Sequence, residues 1–149
     1  MKQSFFVIPL FFLLISCKVN LQSPTYGNIE RFKLTKISTE GAEGEVDISI
    51  FNPNSFSFTV YQAKAEATFA GVKLGRAAMK KKFRIPANSG ETHTLYLKTK
   101  FKEMQLPDLG KLLSGKLGML ELSGHIKAGK WFFKKRFDLS REQRISIFK

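Results

Sequence analysis

The sequence predicts a mainly β domain, and three observations carry the prediction. From residue 29 onward apolar and polar residues alternate, as they do in strands that bury one face. Glycine, proline and asparagine separate the alternating segments and mark turns. Helical spacing occurs in a single short segment. Together these features favour an antiparallel β-sandwich with one short helix.

The alternation also locates a bulge and a turn. Glu45–Ile50 has its apolar residues at even positions, and Phe56–Val60 keeps that parity. Ala63–Phe69 instead has them at odd positions. Because one inserted residue turns the following side chains to the other face, a β-bulge or bend is expected near Tyr61–Gln62. Ala70–Gly71 suits a hairpin turn after this strand.

Continuing the alternation through the chain predicts the core. The residues expected to be buried are Val46, Ile48, Ile50, Leu95, Leu97, Leu120, Leu122 and Trp131. The segment with helical spacing is Leu106–Leu113, where leucines recur three and four residues apart. Pro107 suits the first turn of this helix, and Gly115 suits a cap after its last turn.

The N-terminus resembles an export signal of a lipoprotein. Lys2 precedes the apolar run Phe5–Ile15, which is shorter than the roughly 20 residues that span a bilayer. Ser16 is a small residue at the expected cut, and Cys17, the only cysteine, follows it. Its thiol would carry a diacylglycerol anchor. The alternative is an ordinary secretory signal beside a chance cysteine. Disulfides within the chain are excluded.

These features predict three regions and a location. Residues 1–16 would be the lipoprotein signal peptide, 17–28 the lipidated cysteine and a linker, and 29–149 the β domain. Several acyl chains, at about 0.8 kcal/mol per buried CH₂, would hold the protein stably to a membrane. We therefore expect a lipid-anchored protein of the bacterial cell envelope, at the outer membrane.

The search for catalytic or cofactor chemistry is mostly negative. Gly110–Lys116 fits most of a nucleotide-binding loop, but Leu117 replaces the hydroxyl residue that would bind magnesium. His93 and His125 are the only histidines, and no cysteine pair accompanies them, so a zinc site is not expected. No nucleophile arrangement is visible. The sequence predicts a protein that is not an enzyme and that binds no cofactor or metal.

One acidic cluster leaves two alternatives open. Its members are Glu40, Glu43, Glu45 and Asp47. Carboxylate oxygens could bind calcium. The neighbouring Gly41 and Gly44 favour instead a solvated hairpin loop.

Basic clusters are the strongest remaining signal, in a chain whose net charge is +13. The candidate contacts for an anionic surface are Lys80, Lys81, Lys82, Arg84, Lys98, Lys100, Lys134, Lys135 and Arg136. Lys98, Lys100 and Tyr96 are expected on one sheet face. Three explanations compete: nucleic-acid binding, which export argues against; contact with anionic lipid headgroups; and a solvated face that covers strand edges with lysine.

Four segments give the chain a resemblance to a known family. They are Asn52-Pro53-Asn54, Phe56–Val60, Ala63–Gly75 and Ile85–Gly90. In this order they resemble the second-group late embryogenesis abundant family, also called the water-stress and hypersensitive-response (WHy) domain. The resemblance implies an immunoglobulin-like or fibronectin-like sandwich and an association with stress tolerance. It supplies no catalytic residues.

The sequence therefore favours a non-enzymatic, membrane-anchored protein of the WHy type that contacts or protects envelope components. Anionic headgroups or envelope proteins would be its partners, with no role for nucleic acid. The alternative is a ligand-binding or adaptor module for glycan, lipid or protein. Its exposed aromatic residues would be Tyr61, Tyr96 and Phe132.

Overall fold

The structure is a computed structural model that describes residues 21–103, 106–114 and 117–146. Within these residues it contains eight strands, one turn of 3-10 helix at Phe101–Glu103 and one α-helix, α1 (Leu106–Leu113). The strands are β1 (Thr25–Ile37), β2 (Gly41–Asn52), β3 (Phe58–Phe69), β4 (Val72–Ala78), β5 (Phe83–Ile85), β6 (Ser89–Lys100), β7 (Gly118–Lys130) and β8 (Phe133–Ile145).

All described strands belong to one antiparallel sheet. Its order is β1-β2-β6-β4-β3-β7-β8. The short β5 pairs with the first three residues of β3, and β4 pairs with the later part of the same strand. The sheet curls into a half-barrel around its core. The predicted mainly antiparallel β fold with one short helix is therefore confirmed. The finer prediction of a two-sheet sandwich is not confirmed, because hydrogen bonds join the strands into a single sheet.

The alternation seen in the sequence becomes the two faces of this sheet. The even positions of β2 from Val46 to Ile50 are completely buried, and β3 buries first its even and then its odd positions. The change falls at a bulge where the pairing of β3 with β7 shifts between Val60 and Gln62. The predicted bulge and the turn at Ala70–Gly71 are both confirmed.

One expected core residue was placed wrongly. Trp131 is 76% exposed, whereas the other seven predicted core residues are buried. The alternation was carried through β7 into the turn between β7 and β8, where it no longer applies. Trp131 and Phe132 form that two-residue turn, so neither side chain faces the core.

The two outer strands, β1 and β8, do not pair through their backbones. Side-chain hydrogen bonds connect them instead. The backbone N–H of Ile29 donates to Gln143 Oε1 at 2.7 Å, and Gln143 Nε2 donates to the carbonyl of Ile29 at 2.9 Å. Arg141 Nη2 donates to Asn28 Oδ1 at 3.0 Å beside this pair. One amide side chain thus satisfies both backbone groups of a residue at an otherwise open sheet edge.

The strand pairing also defines two ends of the molecule. Along the β2–β6 ladder, Asn52 pairs with Ser89 at one end and Gly41 with Lys100 at the other. Eleven steps of about 3.4 Å separate these pairs, or roughly 37 Å. We call the end at Asn52 the corner end. We call the end at Gly41 the far end, which also holds the Ala70–Gly71 turn.

The register of β6 can be tested by one matched pair of substitutions. Leu97→Ala empties a site that is 3% exposed, and we expect it to lower the free energy of unfolding by roughly 2–5 kcal/mol. Lys98→Ala removes a side chain that is 74% exposed and should have little effect. Urea unfolding measures both. Equal losses in the two variants would contradict this register.

Candidate functional site

Two buried asparagines organise the corner end. Asn52, which has no exposed surface, donates through Nδ2 to the carbonyls of Phe56, Ile85 and Pro86 at 2.9, 3.3 and 2.7 Å. Its Oδ1 accepts two bonds from Asn54, one from the backbone N–H and one from Nδ2, each at 2.9 Å. The chain leaving β2 is thereby tied to the chain between β5 and β6. Pro53 favours the extended backbone that this corner needs.

Asn54 also holds the start of the described chain. Its Oδ1 accepts from the backbone N–H of Gln22 at 2.8 Å, and its Nδ2 donates to the carbonyl of Gln22 at 3.2 Å. Leu21 beside it is 8% exposed and belongs to the core. The later part of the predicted linker is therefore packed at the corner end. Cys17, the predicted lipidation site, lies outside the described residues.

An aromatic tip projects from the same end. It consists of Trp131, Phe132 and Phe133, whose exposed fractions are 76%, 77% and 53%. The rings of Phe132 and Phe133 contact each other, with centroids 4.6 Å apart. Lys130 at the base of the tip places Nζ 5.2 Å from the ring centroid of Phe56, which follows the asparagine corner.

Several predicted basic residues surround this end. Lys134, Lys135 and Arg136 are exposed at the start of β8, beside the tip. Lys134 Nζ lies 4.6 Å from the ring centroid of Tyr61, and Arg84 Nε donates to Ser57 Oγ at 2.9 Å. From residue 127 to residue 137 the chain carries five basic residues and no acidic one. This hairpin is therefore a positive surface around exposed aromatic rings.

Lys80, Lys81 and Lys82 border a shallow cleft on the other side of β3. Its volume is about 460 Å³, and Phe83, His93 and Tyr96 also line it. Lys80 Nζ covers Tyr96 at 3.6 Å from its centroid, and the rings of Phe83 and His93 stack 3.4 Å apart. Burial lowers the pKa of His93, although Glu91 Oε2 lies 3.1 Å from its Nε2. This burial favours the neutral imidazole.

Lys98 and Lys100 lie towards the far end, away from the basic residues at the corner end. With Tyr96 they occupy the same face of β6, as predicted. Lys98 Nζ is 3.8 Å from Glu43 Oε1. Both residues line a cleft of about 510 Å³ whose walls carry acidic and basic side chains. The predicted set of basic residues is thus divided: Arg84, Lys134, Lys135 and Arg136 lie at the corner end, Lys98 and Lys100 at the far end, and Lys80, Lys81 and Lys82 border the cleft at Tyr96 between them.

Three of the four residues in the acidic cluster, Glu43, Glu45 and Asp47, have basic side chains as partners. Arg31 Nε contacts Asp47 Oδ2 at 2.7 Å, and its Nη2 lies 3.7 Å from Glu45 Oε2. Desolvation opposes ionisation of Asp47, but hydrogen bonds from Thr94 and Arg31 outweigh it and lower the pKa of this carboxyl. The expected hairpin loop includes Glu40, whereas the other three acidic residues lie in β2.

Other sites considered from the sequence gain no support among the described residues. Within residues 21–103, 106–114 and 117–146, no three His, Cys, Asp or Glu side chains are grouped as metal ligands. The nucleotide-loop segment begins at Gly110 inside α1, and its Lys116 lies outside the described residues. In the same part of the chain, no helix is long and apolar enough to cross a membrane.

Comparison with known proteins identifies the family. The model for late embryogenesis abundant proteins of the second group matches residues 47–143, well over half of the chain. The chain belongs to this family. The family is generally non-enzymatic and is associated with stress and desiccation. No curated protein gives a significant match to the sequence.

Two solved structures share the fold of this late embryogenesis abundant protein. A solution structure of an Arabidopsis thaliana protein has a TM-score of 0.60 and 13% identity, covering 91% of each chain. A crystal structure of an Archaeoglobus fulgidus protein has a TM-score of 0.53 and 11% identity, covering 85% of this chain and 96% of the other. At such low identity the likeness concerns the fold alone.

The aromatic tip is the feature that sequence reasoning missed. Of the three aromatic residues proposed as exposed contacts, Tyr61 and Tyr96 lie partly buried under lysines, and only Phe132 is strongly exposed. In a strand, three consecutive aromatic residues would point to both faces of the sheet, so at least one large ring would lie on the exposed face. That run was the available signal for a turn at Trp131.

The asparagine corner gives a prediction about the first described residues. Asn54→Ala removes the side chain that binds the backbone N–H and the carbonyl of Gln22. The backbone N–H of Gln22 should therefore exchange with solvent faster. The free energy of unfolding should fall by about 1–3 kcal/mol. Asn28→Ala, which removes an exposed partner of Arg141, is the control and should leave Gln22 protected. Hydrogen exchange measures both variants. Unchanged protection in Asn54→Ala would contradict the assigned role.

Proposed function

We propose that this chain is a lipid-anchored, non-enzymatic protein of the WHy type, held at the outer membrane of a bacterial envelope through Cys17. Its basic corner end contacts anionic headgroups or neighbouring envelope components and protects them under water stress. Family membership supports the stress-related, non-enzymatic part of this proposal. We also propose that the two halves of the curled sheet correspond to the two sheets of an immunoglobulin-like or fibronectin-like sandwich.

The attachment of Gln22 to Asn54 is the observation that carries the proposal. Leu21 is buried only four residues after Cys17, a separation of at most about 14 Å in extended chain. Acyl chains on Cys17 would therefore hold the corner end close to the bilayer. The far end would point away from the surface.

The division of the basic residues fits this orientation. Juxtamembrane lysines and arginines contribute about 1 kcal/mol each, and the attraction fades over a Debye length of about 8 Å. Lys134, Lys135 and Arg136 at the corner end are well placed to contribute. Lys98 and Lys100, at the far end of a ladder roughly 37 Å long, would contribute little.

A second candidate function is recognition of a small anionic ligand or an acidic partner. The cleft beside Lys80, Lys81 and Lys82 favours it, because Tyr96 offers a ring face there that Lys80 now covers. The anionic group of such a ligand could pair with these lysines at the mouth of the cleft. This function would leave the membrane anchor unchanged and would use a different surface.

The anchor is tested by substituting Cys17 in the producing cells. Cys17→Ser removes the thiol that would carry diacylglycerol, so the protein should lose its membrane-bound, lipidated form. An uncleaved or soluble form should replace it. Mass spectrometry of the mature N-terminus makes the measurement. In the unaltered protein, a first residue that is unmodified Lys18 or any earlier free residue would contradict lipidation.

A further inference from the structure

We propose that the aromatic tip is a bilayer wedge: Trp131, Phe132 and Phe133 insert into the interfacial region of an anionic membrane. This inference rests on the proposed anchoring at Cys17 and adds the site and the partner. The tip would act as a second attachment beside the lipid. It would fix the orientation of the domain on the surface.

The tip is not explained by the folding of the domain. Trp131 has a backbone φ of 54°, in the left-handed region that glycine and asparagine adopt with least strain. Its ring is 76% exposed, so burial does not offset that strain. The other two-residue hairpin turn, Ala70–Gly71, in which both residues have a positive φ, uses small residues. A tryptophan at such a position is expected where its side chain has a function outside the fold.

The chemistry of the tip matches a membrane interface. Tryptophan and phenylalanine partition to the boundary between headgroups and acyl chains, and basic residues around them attract anionic lipid. Lys130, Lys134, Lys135 and Arg136 flank the three rings, together with Lys127 on β7. No acidic residue lies between residues 127 and 137. The hairpin therefore combines an apolar apex with a cationic base.

The position of the tip is the third step. Lys130 at its base reaches Phe56, whose carbonyl is bound by Asn52, and Asn54 binds Gln22. This chain of contacts places the tip at the same end of the sheet as Gln22, the second described residue. A lipid on Cys17 would thus bring the aromatic rings to the bilayer. The membrane would therefore be the first binding partner that the tip meets.

A second copy of the chain is a poorer occupant. The full sequence has a net charge of +13, and residues 127–137 around the tip include five basic residues and no acidic one. Apposed copies would bring like charges together. An acidic protein partner has suitable charge, but the tether argues for lipid first. Both occupants are outcomes that the experiment below distinguishes.

Trp131 is the only tryptophan of the chain, so its fluorescence reports directly on the tip. The full lipidated chain is reconstituted into vesicles of neutral lipid alone or with phosphatidylglycerol. In anionic vesicles we expect a blue-shifted emission and quenching by lipids brominated near the carbonyl end. Both effects should weaken as salt rises, because screening reduces the attraction of the flanking lysines.

Variants separate the wedge from general attachment. Lys134→Gln and Lys135→Gln should each lower the ratio of inserted to water-exposed tip about fivefold, as expected for one basic residue at an anionic surface. Phe132→Ser should also lower it, with Trp131 still reporting. Ile37→Ser, which changes an apolar residue that is 53% exposed at the far end, is the matched control and should have no effect.

The outcomes distinguish the wedge from the anchor. If the chain stays with the vesicles while Trp131 remains in water and unquenched, the wedge is wrong and the anchor stands. If unaltered protein from cells carries no lipid, the anchor is wrong. A blue shift without lipid quenching that depends on protein concentration would indicate pairing of copies. A blue shift seen only with added envelope protein would indicate a protein partner. Either result would overturn the wedge.

Discussion

The rest of the structure depends on the buried pair Asn52 and Asn54. Their amides bind the chain after β2, the chain after β5 and the first described residues at Gln22, all at one end of the sheet. Inside a protein, a polar group left without its partner costs about 1–3 kcal/mol, so these bonds strongly restrict the path of the backbone. The corner therefore decides which end of the sheet receives the N-terminal segment. It also decides which surface would face a membrane.

The corner gives the molecule a direction that composition alone does not. A chain with a net charge of +13 could attract anions over its whole surface, yet its basic groups have different surroundings at the two ends. At the corner end they surround exposed aromatic rings, and the part of the hairpin nearest the turn, residues 127–137, has no acidic residue. At the far end Lys98 pairs with Glu43. The proposed attachment follows from this asymmetry together with the family's non-enzymatic character.

Local patterns predicted the local structure well. The alternation located β2 and β3, and the change of parity located the bulge before Gln62, because side-chain direction is set by single residues along a strand. The short helix α1 followed from its leucine spacing. The connection between β1 and β8 was not predictable. Gln143 is a polar residue in an alternating strand, and the sequence pattern gives no indication that its side chain binds Ile29. The division of the basic clusters likewise depended on strand order, which non-local pairing determines. Trp131 was misplaced because alternation was extended through a turn.

The most direct test of the central claim is the orientation of the anchored domain. A fluorescent donor is attached to Lys127→Cys near the corner end or to Lys73→Cys at the far end, in the full lipidated chain. Energy transfer to acceptors on the lipid headgroups is then measured in anionic vesicles. Cys17 carries the lipid in this proposal and leaves the introduced thiol as the site of labelling. We predict strong transfer from position 127 and weak transfer from position 73. Equal transfer from the two positions, or stronger transfer from position 73, would contradict the orientation.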